Sequence, residues 1–523
     1  MKARPLPDGF RAYAWAPSSA EVARRHGLRP EQVLRYDQNT PPVPGVPQVP
    51  LAESFARLNE YPDGSYRELR EAAAGYAGVD PAQVVVGAGA DDLIALCARA
   101  YLAPGRRAAF TPPTYPVYRL ASLLEGAEVV EEAEGAHLIW VCNPNNPTGE
   151  LRPPHEIAAL ADAYPDAAVV VDEAYHEYAG VTCVPLLERH PNVIVLRTLS
   201  KAFGFASLRV GYALAAAEVA AELELRRAPA NVSGPAARLA AAALRDPRLD
   251  VEETVAERER VRAALAAAGH DVPPTATNFV WLRTGEPLGE QLEAQGLVVR
   301  VFRDGIRITL RRPRENDVLL RALGAEAPQR SGRRDAFVTR ISTETALRLS
   351  LDLDGRGQAR VATGIGFLDH LLTLAAFHAG FDLELLAGGD LDVDEHHTAE
   401  DCLAALGDAL AQALGDRAGV ARYGDATIPM DEARATAAVD LVRRPHAEVE
   451  LAFGGERVGD LAVTLLAHAL ERLALQGAFT LHVTASGRDD HHVAEAAFKA
   501  LGRALGAACA PAAAGVRSTK GLA

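Results

Sequence analysis

The sequence predicts two fold classes in succession: an α/β domain with a large, mostly parallel sheet, then an α+β domain made of two similar halves. Three observations carry this. From about Pro30 to Ala322, unbroken apolar runs of strand length alternate with Ala/Leu-rich helical runs, the pattern of buried parallel strands joined by helices. At 325–334 (AEAPQRSGRR) the chain turns polar, carries Pro and Gly and loses periodicity, as an interdomain linker does. Beyond it a short phrase occurs twice: His396-His397-x-x-Glu400 returns as His491-His492-x-x-Glu495. The likeness runs on, because Ala405-Leu406-Gly407 answers Ala500-Leu501-Gly502, and Ala409-Leu410 answers Ala504-Leu505.

With 523 residues the chain is too long for a single core. The expected division is a domain over 1–324, a linker over 325–335 and a domain over 336–523. A net charge of −15 argues against a nucleic-acid or membrane-surface binder. Five cysteines without metal-type spacing fit a reducing cytoplasm. The opening MKARPLPDGFRAYAWAP has no apolar core of a secretory leader. No stretch reaches the roughly 18 to 20 apolar residues that span a bilayer.

Taken in order, QVVVG (83–87), AHLIWVCN (136–143), AAVVVDEAY (167–175) and NVIVLRTLSK (192–201) are apolar strands ending in polar residues. Parallel sheets carry their sites at such C-terminal strand ends. Helices are expected around 212–227 and 252–268. In the last third, RLSLDLDG (348–355) and TLHVTAS (480–486) read as strands of antiparallel hairpins. Leu403, Leu406, Leu410 and Leu414 give helical spacing directly after the first HH-x-x-E phrase.

Lys201 ends an apolar strand, where a lysine alone is an ordinary solvated side chain. Its surroundings point elsewhere. Thr198, Ser200 and Arg209 lie beside it, Asp172 and Tyr175 end the preceding strand, and Asn146 ends the one before that. Gly87-Ala88-Gly89-Ala90-Asp91-Asp92 is a small-residue loop opening onto a helix, suited to a phosphate on backbone N–H groups. Pyridoxal phosphate needs this set: an amine for the Schiff base, a carboxylate for the pyridinium nitrogen, polar groups for the ring oxygen, and Arg with hydroxyls for the phosphate.

In this order the residues resemble the fold-type I aminotransferases, with a large sheet domain and a small domain. NEYPDGSYRELR (59–70), PPTYPVY (112–118), RTLSKAFG (197–204), TNFVWLR (277–283) and GIRITL (305–310) are similar to histidinol-phosphate aminotransferases. The resemblance implies Lys201 as the Schiff-base lysine and proton shuttle, Asp172 at the ring nitrogen, Asn146 and Tyr175 at the ring hydroxyl, and Tyr115 stacked on the ring. It implies Ala90, Asp91, Thr198, Ser200 and Arg209 around the cofactor phosphate, with Tyr61 from a partner subunit, and Arg300 and Arg307 for the substrate phosphate. The chain departs from the family in RYDQNTPPVP (35–44) and in Leu310-Arg311-Arg312-Pro313.

On a helix, His396 and Glu400 share a face while His397 points about 100° away. Adjacent histidines therefore serve two sites, or two sides of a subunit contact. With the duplicate, and with His370 and His468, the set is six histidines and two glutamates. Imidazole and carboxylate suit manganese, iron or zinc. ETALRLSLDLDGRG, TGIGFLDHLL, DEHHTAED, ARYGDATIPMDEA, DDHHVAEAAFKALGRAL and STKG resemble imidazoleglycerol-phosphate dehydratases, over 336–523. That resemblance implies two manganese ions per site held by His370, His396, His397, Glu400, His468, His491, His492 and Glu495, with ligands from more than one subunit of a 24-subunit shell. It implies Glu344 as the proton-moving carboxylate, and Arg422, Arg444, Ser518 and Lys520 on the substrate phosphate. Departures fall at Leu374 and at Val442-Arg443-Arg444-Pro445.

The two resemblances together imply a bifunctional enzyme of histidine biosynthesis. It would dehydrate imidazole glycerol phosphate to imidazole acetol phosphate, then transaminate that ketone with glutamate to histidinol phosphate. Aminotransferase dimers could decorate the dehydratase shell. A second reading keeps the dehydratase but gives the first domain another pyridoxal phosphate reaction. A third makes one domain a scaffold.

Overall fold

The computed structural model describes residues 6–7, 10–14, 16–41, 59–247, 249–285, 287–326 and 334–512. The chain forms two units, Met1–Pro17 with Arg35–Ala327, and Ser18–Leu34 with Pro328–Ala523. Residues 327–333 of the expected linker lie outside the described residues. No helix among the described residues is long and apolar enough to cross a membrane.

The first unit is built on a seven-stranded sheet. Its strands are β1 (Val84–Gly87), β2 (Arg107–Ala109), β3 (Glu128–Val130), β4 (Leu138–Cys142), β5 (Ala168–Asp172), β6 (Val193–Thr198) and β7 (Gly211–Ala215). They lie in the order β1-β7-β6-β5-β4-β2-β3. The strands from β6 to β3 are parallel, and β7 alone runs antiparallel to both of its neighbours. Both faces are covered: Val169, Val171, Val193 and Val195 enter one core, and Val170, Ile194 and Leu196 enter the other. Two buried faces explain why these strands read as unbroken apolar runs. A second, antiparallel sheet of this unit holds β8 (Phe279–Arg283), β9 (Arg300–Phe302) and β10 (Gly305–Thr309) in the order β9-β10-β8.

The expected helix over 212–227 is corrected. Gly211–Ala215 is strand β7, and the helix runs only from Ala217 to Glu224. GYALA lies between two strands that each pair with it, and that pairing overrides the helical preference of its alanines. The expected helix at 252–268 is present as Val251–Ala267.

The second unit repeats one topology. Strands β11 (Asp335–Ile341), β12 (Thr345–Asp352), β13 (Ala359–Ala362) and β14 (Asp382–Gly389) form a sheet in the order β11-β12-β14-β13. Strands β15 (Tyr423–Met430), β16 (Ala433–Asp440), β17 (His446–Ala452) and β18 (Thr480–Ser486) form another in the order β15-β16-β18-β17. Each opens with an antiparallel hairpin and sets its third strand parallel to its fourth. RLSLDLD therefore lies in a hairpin, as expected, but TLHVTAS does not. It is β18, reached through a helix, antiparallel to β16 and parallel to β17. Its alternating burial marks a strand with one covered face, which suits either neighbour direction.

Two helices cover each half: α1 (Gly366–Ala379) and α2 (His396–Leu414), then α3 (Val463–Gln476) and α4 (Asp490–Cys509). One continuous core serves both halves. The repeated Ala-Leu-Gly explains how closely the helices approach across it. A Cβ at Gly502 would stand 2.4 Å from the Ala375 carbonyl oxygen of α1, and one at Gly407 would stand 2.6 Å from the Leu473 carbonyl oxygen of α3. Thus α4 packs on α1 and α2 on α3, each pair joining the two halves.

Ser18–Leu34, which the sequence reading places in the first domain, folds with this second unit. Its helix Ser19–His26 is capped by Ser18 and closed by Gly27. Arg29 donates to the carbonyl oxygens of Ser342, Thr343 and Gly388 at 3.1, 2.9 and 3.3 Å, and Arg348 donates to Val33 O at 2.7 Å. A planar guanidinium with several donors suits such a cluster of strand-end carbonyls.

Candidate active sites

In the first unit the strand ends β4, β5 and β6 deliver Asn146, Asp172 and Lys201 to one region. The Lys201 amine donates to Gln38 O at 3.5 Å and lies 5.9 Å from the centre of the Tyr175 ring. Burial, and after it the nearby Arg307, push this amine down to about 8. Asp172 is buried and accepts from Tyr118 Oη at 2.7 Å and from the Ala174 N–H at 3.1 Å. Burial still pushes its carboxyl up to about 6. A buried carboxylate whose hydrogen bonds come from a phenol and an amide is short of a cation, and a pyridinium ring nitrogen fits that need.

The Tyr175 hydroxyl accepts from Asn39 Nδ2 at 2.8 Å, and burial keeps it a phenol. Asn146 Oδ1 accepts from Arg307 Nη1 at 2.6 Å. At the opposite rim Tyr115 donates to Asp91 Oδ1 at 2.8 Å and Arg209 to Asp91 Oδ2 at 3.1 Å, while Thr198 Oγ1 donates to Ser200 Oγ at 2.9 Å. Gly89 has φ +83, and a Cβ there would meet Arg209 Nη2 at 2.8 Å. The helix Ala90–Tyr101 starts directly after it. Ala90, Asp91, Arg209, Thr198 and Ser200 thus form a cradle of amides, hydroxyls and one guanidinium that fits a phosphate.

Arg300 and Arg307 face each other across β9 and β10. Like charges directly opposed are unfavourable unless an anion lies between them. Arg307 is buried, spends its donors on the Asn146 amide and the Asp37 carbonyl, and keeps Nε buried without a hydrogen-bond partner. Arg300 donates to Ala14 O at 2.8 Å. Tyr61 is not brought to the site of its own chain, since it is 92% exposed. Two contacts are additional to the sequence reading. Asn39 sits inside the looser segment 35–44, and Tyr118 lies three residues after the Tyr115 chosen from the same motif; nothing but the fold shows that it reaches Asp172.

In the second unit the eight expected ligands divide into two triads and two outliers. His370 of α1 joins His491 and Glu495 of α4, and His396 and Glu400 of α2 join His468 of α3, the ligand atoms of each triad lying within 4.8 Å of one another. Each triad therefore takes residues from both halves of the duplication. His370 and His491 approach Glu495 Oε1 at 2.6 and 3.2 Å, and Lys499 pairs with its Oε2 at 2.7 Å. Burial opposes ionisation of Glu495, yet Lys499 and His370 hold the carboxyl down at about 2. Glu400 is likewise held low against burial by His468 and Arg472. Two imidazoles and one ionised carboxylate fit a divalent transition ion with coordination positions to spare.

His397 and His492 enter neither triad. His397 Nδ1 meets Asp390 Oδ2 at 3.1 Å and His492 Nδ1 meets Glu432 Oε2 at 3.0 Å. Glu344 lies in the β11–β12 turn, 3.9 Å from His397 Nδ1. Arg422 is bound by Asp440 at 2.7 Å, and its N–H meets Ala508 O at the far end of α4 from His491. Some 17 residues of helix at 1.5 Å each separate Arg422 from that triad by roughly 25 Å. Arg444 is exposed on the turn before β17, beside the start of β18 at Thr480, the strand end opposite the one that leads to His491. Ser518 and Lys520 lie outside the described residues.

Comparison with known proteins finds two families along the chain. The family model for class I and II aminotransferases matches residues 31–323, and the model for imidazoleglycerol-phosphate dehydratases matches residues 363–505. A histidinol-phosphate aminotransferase of Geobacillus thermodenitrificans is 35% identical over 351 residues, 61% of this chain and 96% of that protein. An imidazoleglycerol-phosphate dehydratase of Chloroflexus aurantiacus is 54% identical over 176 residues, 34% of this chain and 86% of that protein. The chain belongs to both families. Another dehydratase, from Phytophthora nicotianae, is 42% identical over 277 residues, and there the chain spans only 59% of its relative. The crystal structure of the Sinorhizobium meliloti histidinol-phosphate aminotransferase in complex with pyridoxal-5'-phosphate superposes at TM-score 0.53 and 26% identity, covering 60% of this chain and 94% of that one. The aminotransferase region is thus fold-type I, and the dehydratase region follows it on the same chain.

Proposed function

We propose that the chain is a bifunctional enzyme of histidine biosynthesis, dehydrating imidazole glycerol phosphate and transaminating the resulting imidazole acetol phosphate with glutamate to histidinol phosphate. One observation carries this reading: a lysine-centred site and two metal triads occur on one chain, and the ketone made by a dehydratase of this kind is the amino acceptor of such an aminotransferase.

Pyridoxal phosphate, when bound, supplies an electron sink for the carbon bearing the amino group. Asp172 holds the ring nitrogen, Asn146 and Tyr175 the ring hydroxyl, Tyr115 the ring face, and the Ala90–Asp91, Thr198, Ser200 and Arg209 cradle the phosphate, with Tyr61 contributed by a partner subunit. Lys201 Nζ moves the proton at the substrate carbon; an amine pushed down to about 8 is partly unprotonated near neutral pH. Arg300 and Arg307 bind the substrate phosphate, for which the buried, unpartnered Nε of Arg307 is suited.

In the second unit two manganese ions, when bound, supply Lewis acidity toward the imidazole and the departing hydroxyl. The triads hold one ion each, and His397 and His492 complete the triads of neighbouring copies. Glu344 moves the proton at the substrate carbon. Arg422 and Arg444, with Ser518 and Lys520, take the substrate phosphate. Because Arg422 stands roughly 25 Å along α4 from its own triad, it serves the site of another copy. This supports a shell of many subunits, 24 by family resemblance, carrying aminotransferase dimers. A reducing cytoplasm is the location that five free cysteines suit.

The test supplies imidazole glycerol phosphate and glutamate to the purified chain and follows histidinol phosphate. Lys201→Ala should stop the sequence at the ketone, and Glu495→Gln should stop it before the ketone. Consumption of the substrate without a ketone, or transamination confined to unphosphorylated amino acids, would overturn the reading. Light scattering that returns a simple dimer would remove the shell.

A further inference from the structure

The two halves of the second unit are equivalent in sheet order and helix placement, so their residues can be paired by topology. Glu344 lies in the turn between the first two strands of the first half, and Glu432 lies in the corresponding turn of the second, between Met430 and Ala433. Each turn faces the second histidine of its half. In the second half the contact is made: Glu432 Oε2 stands 3.0 Å from His492 Nδ1, and Glu432 Oε1 accepts from the N–H groups of Asp489 and Arg488 at 2.9 and 3.3 Å, fixing the lead-in to α4. In the first half it is not: Glu344 Oε2 stays 3.9 Å from His397 Nδ1. Asp390, the residue directly after β14, takes that place at 3.1 Å. The residue directly after β18 is Gly487, which has no side chain to offer.

We propose that Asp390 and Glu432 are positioning residues that do the same work from unrelated places, and that the substitution of Asp390 for the turn glutamate is what frees Glu344 to carry a proton. This rests on the metal-site reading given above. An ionised carboxylate only accepts, so each contact places the hydrogen on Nδ1 and leaves the Nε2 lone pair available as a ligand. His492 Nε2 faces only the exposed Asp431, at 3.8 Å, among the ion pairs of the described residues. Both outlying histidines are thereby fixed in the tautomer and ring orientation that a divalent ion on a neighbouring copy requires. Glu344, side chain half exposed, stands beside one of them without that contact.

The experiment measures binding of manganese(II) alone to the metal-stripped full chain. Asp390→Ala and Glu432→Ala should each weaken binding by about 10- to 100-fold. Asp390→Asn and Glu432→Gln keep a carbonyl oxygen that accepts from Nδ1–H and should bind within a few-fold of the parent, which tests the assignment even where an alanine variant does not fold. Glu344→Gln should bind manganese like the parent while losing dehydration. Parent-like binding by both alanine variants, or equal weakening in Glu344→Gln, would overturn the division of labour. A parent chain that binds no manganese would remove the metal-site reading itself, and this assignment with it.

Discussion

The amine of Lys201 should titrate near 8 in the cofactor-free chain, and the sequence makes this unusually easy to see. The chain has 54 Lys and Arg residues but only four lysines: Lys2, Lys201, Lys499 and Lys520. Reductive methylation with 13C-formaldehyde therefore yields a handful of signals, and Lys201→Arg identifies the one of interest. The shift has a stated origin: burial first, then the positive field of Arg307, with Asp91 pulling the other way. At pH 7.5 a group of pKa 8 is about one quarter neutral, whereas a lysine at its ordinary value is about 0.1% neutral. Arg307→Ala should move the signal upward, since it removes both positive field and cover. The sign for stability follows too. The unfolded chain binds the proton more readily, so folding gains stability as pH rises from about 8 toward 10.5. A Lys201 signal that titrates with the other lysines would refute the buried, cation-flanked setting from which its proton-transfer role is argued.

Two further outcomes probe one site each. Tyr118→Phe removes the 2.7 Å donor to Asp172 and should cost about 1–3 kcal/mol of stability, seen in thermal melts, for a buried acceptor left unpaired; the acid limb of the transamination pH profile should move up, because that hydrogen bond works against the rise caused by burial. Gly502→Ala puts a Cβ 2.4 Å from a backbone carbonyl of α1, where no flexible side chain can yield, and should cost about 1–3 kcal/mol while weakening metal binding through displaced His370.

What could be read from the sequence divides along physical lines. Strands β4, β5 and β6 were legible because burial on both faces leaves no polar alternation, and their polar ends placed Asn146, Asp172 and Lys201 together. Six of the eight expected ligands gather into triads, and the repeat of the phrase is what made them legible as a set. Strand β7 was not, because its alanines favour helix and only pairing on both edges makes GYALA a strand. Asp390 and Glu432 were not, because the chain holds 69 acidic residues and nothing local separates two of them from the rest. The seat of Ser18–Leu34 depends on one guanidinium meeting three carbonyls more than 300 residues away, a match no window of sequence contains.

The way the triads are assembled explains how a duplicated phrase yields two triads that neither half makes alone. Each HH-x-x-E helix completes its triad with a histidine from the other half, His370 reaching α4 and His468 reaching α2. A single half, standing alone, would carry only parts of two triads. Two copies of one half, packed through the glycine of the repeated Ala-Leu-Gly, would make two equal triads, so the crossed arrangement is what fusion of a symmetric pair leaves behind. After fusion the halves were free to differ away from the ligands. They differ where it matters chemically, for Asp390 has no counterpart at Gly487, and the turn glutamate that still holds a histidine in one half has been released in the other.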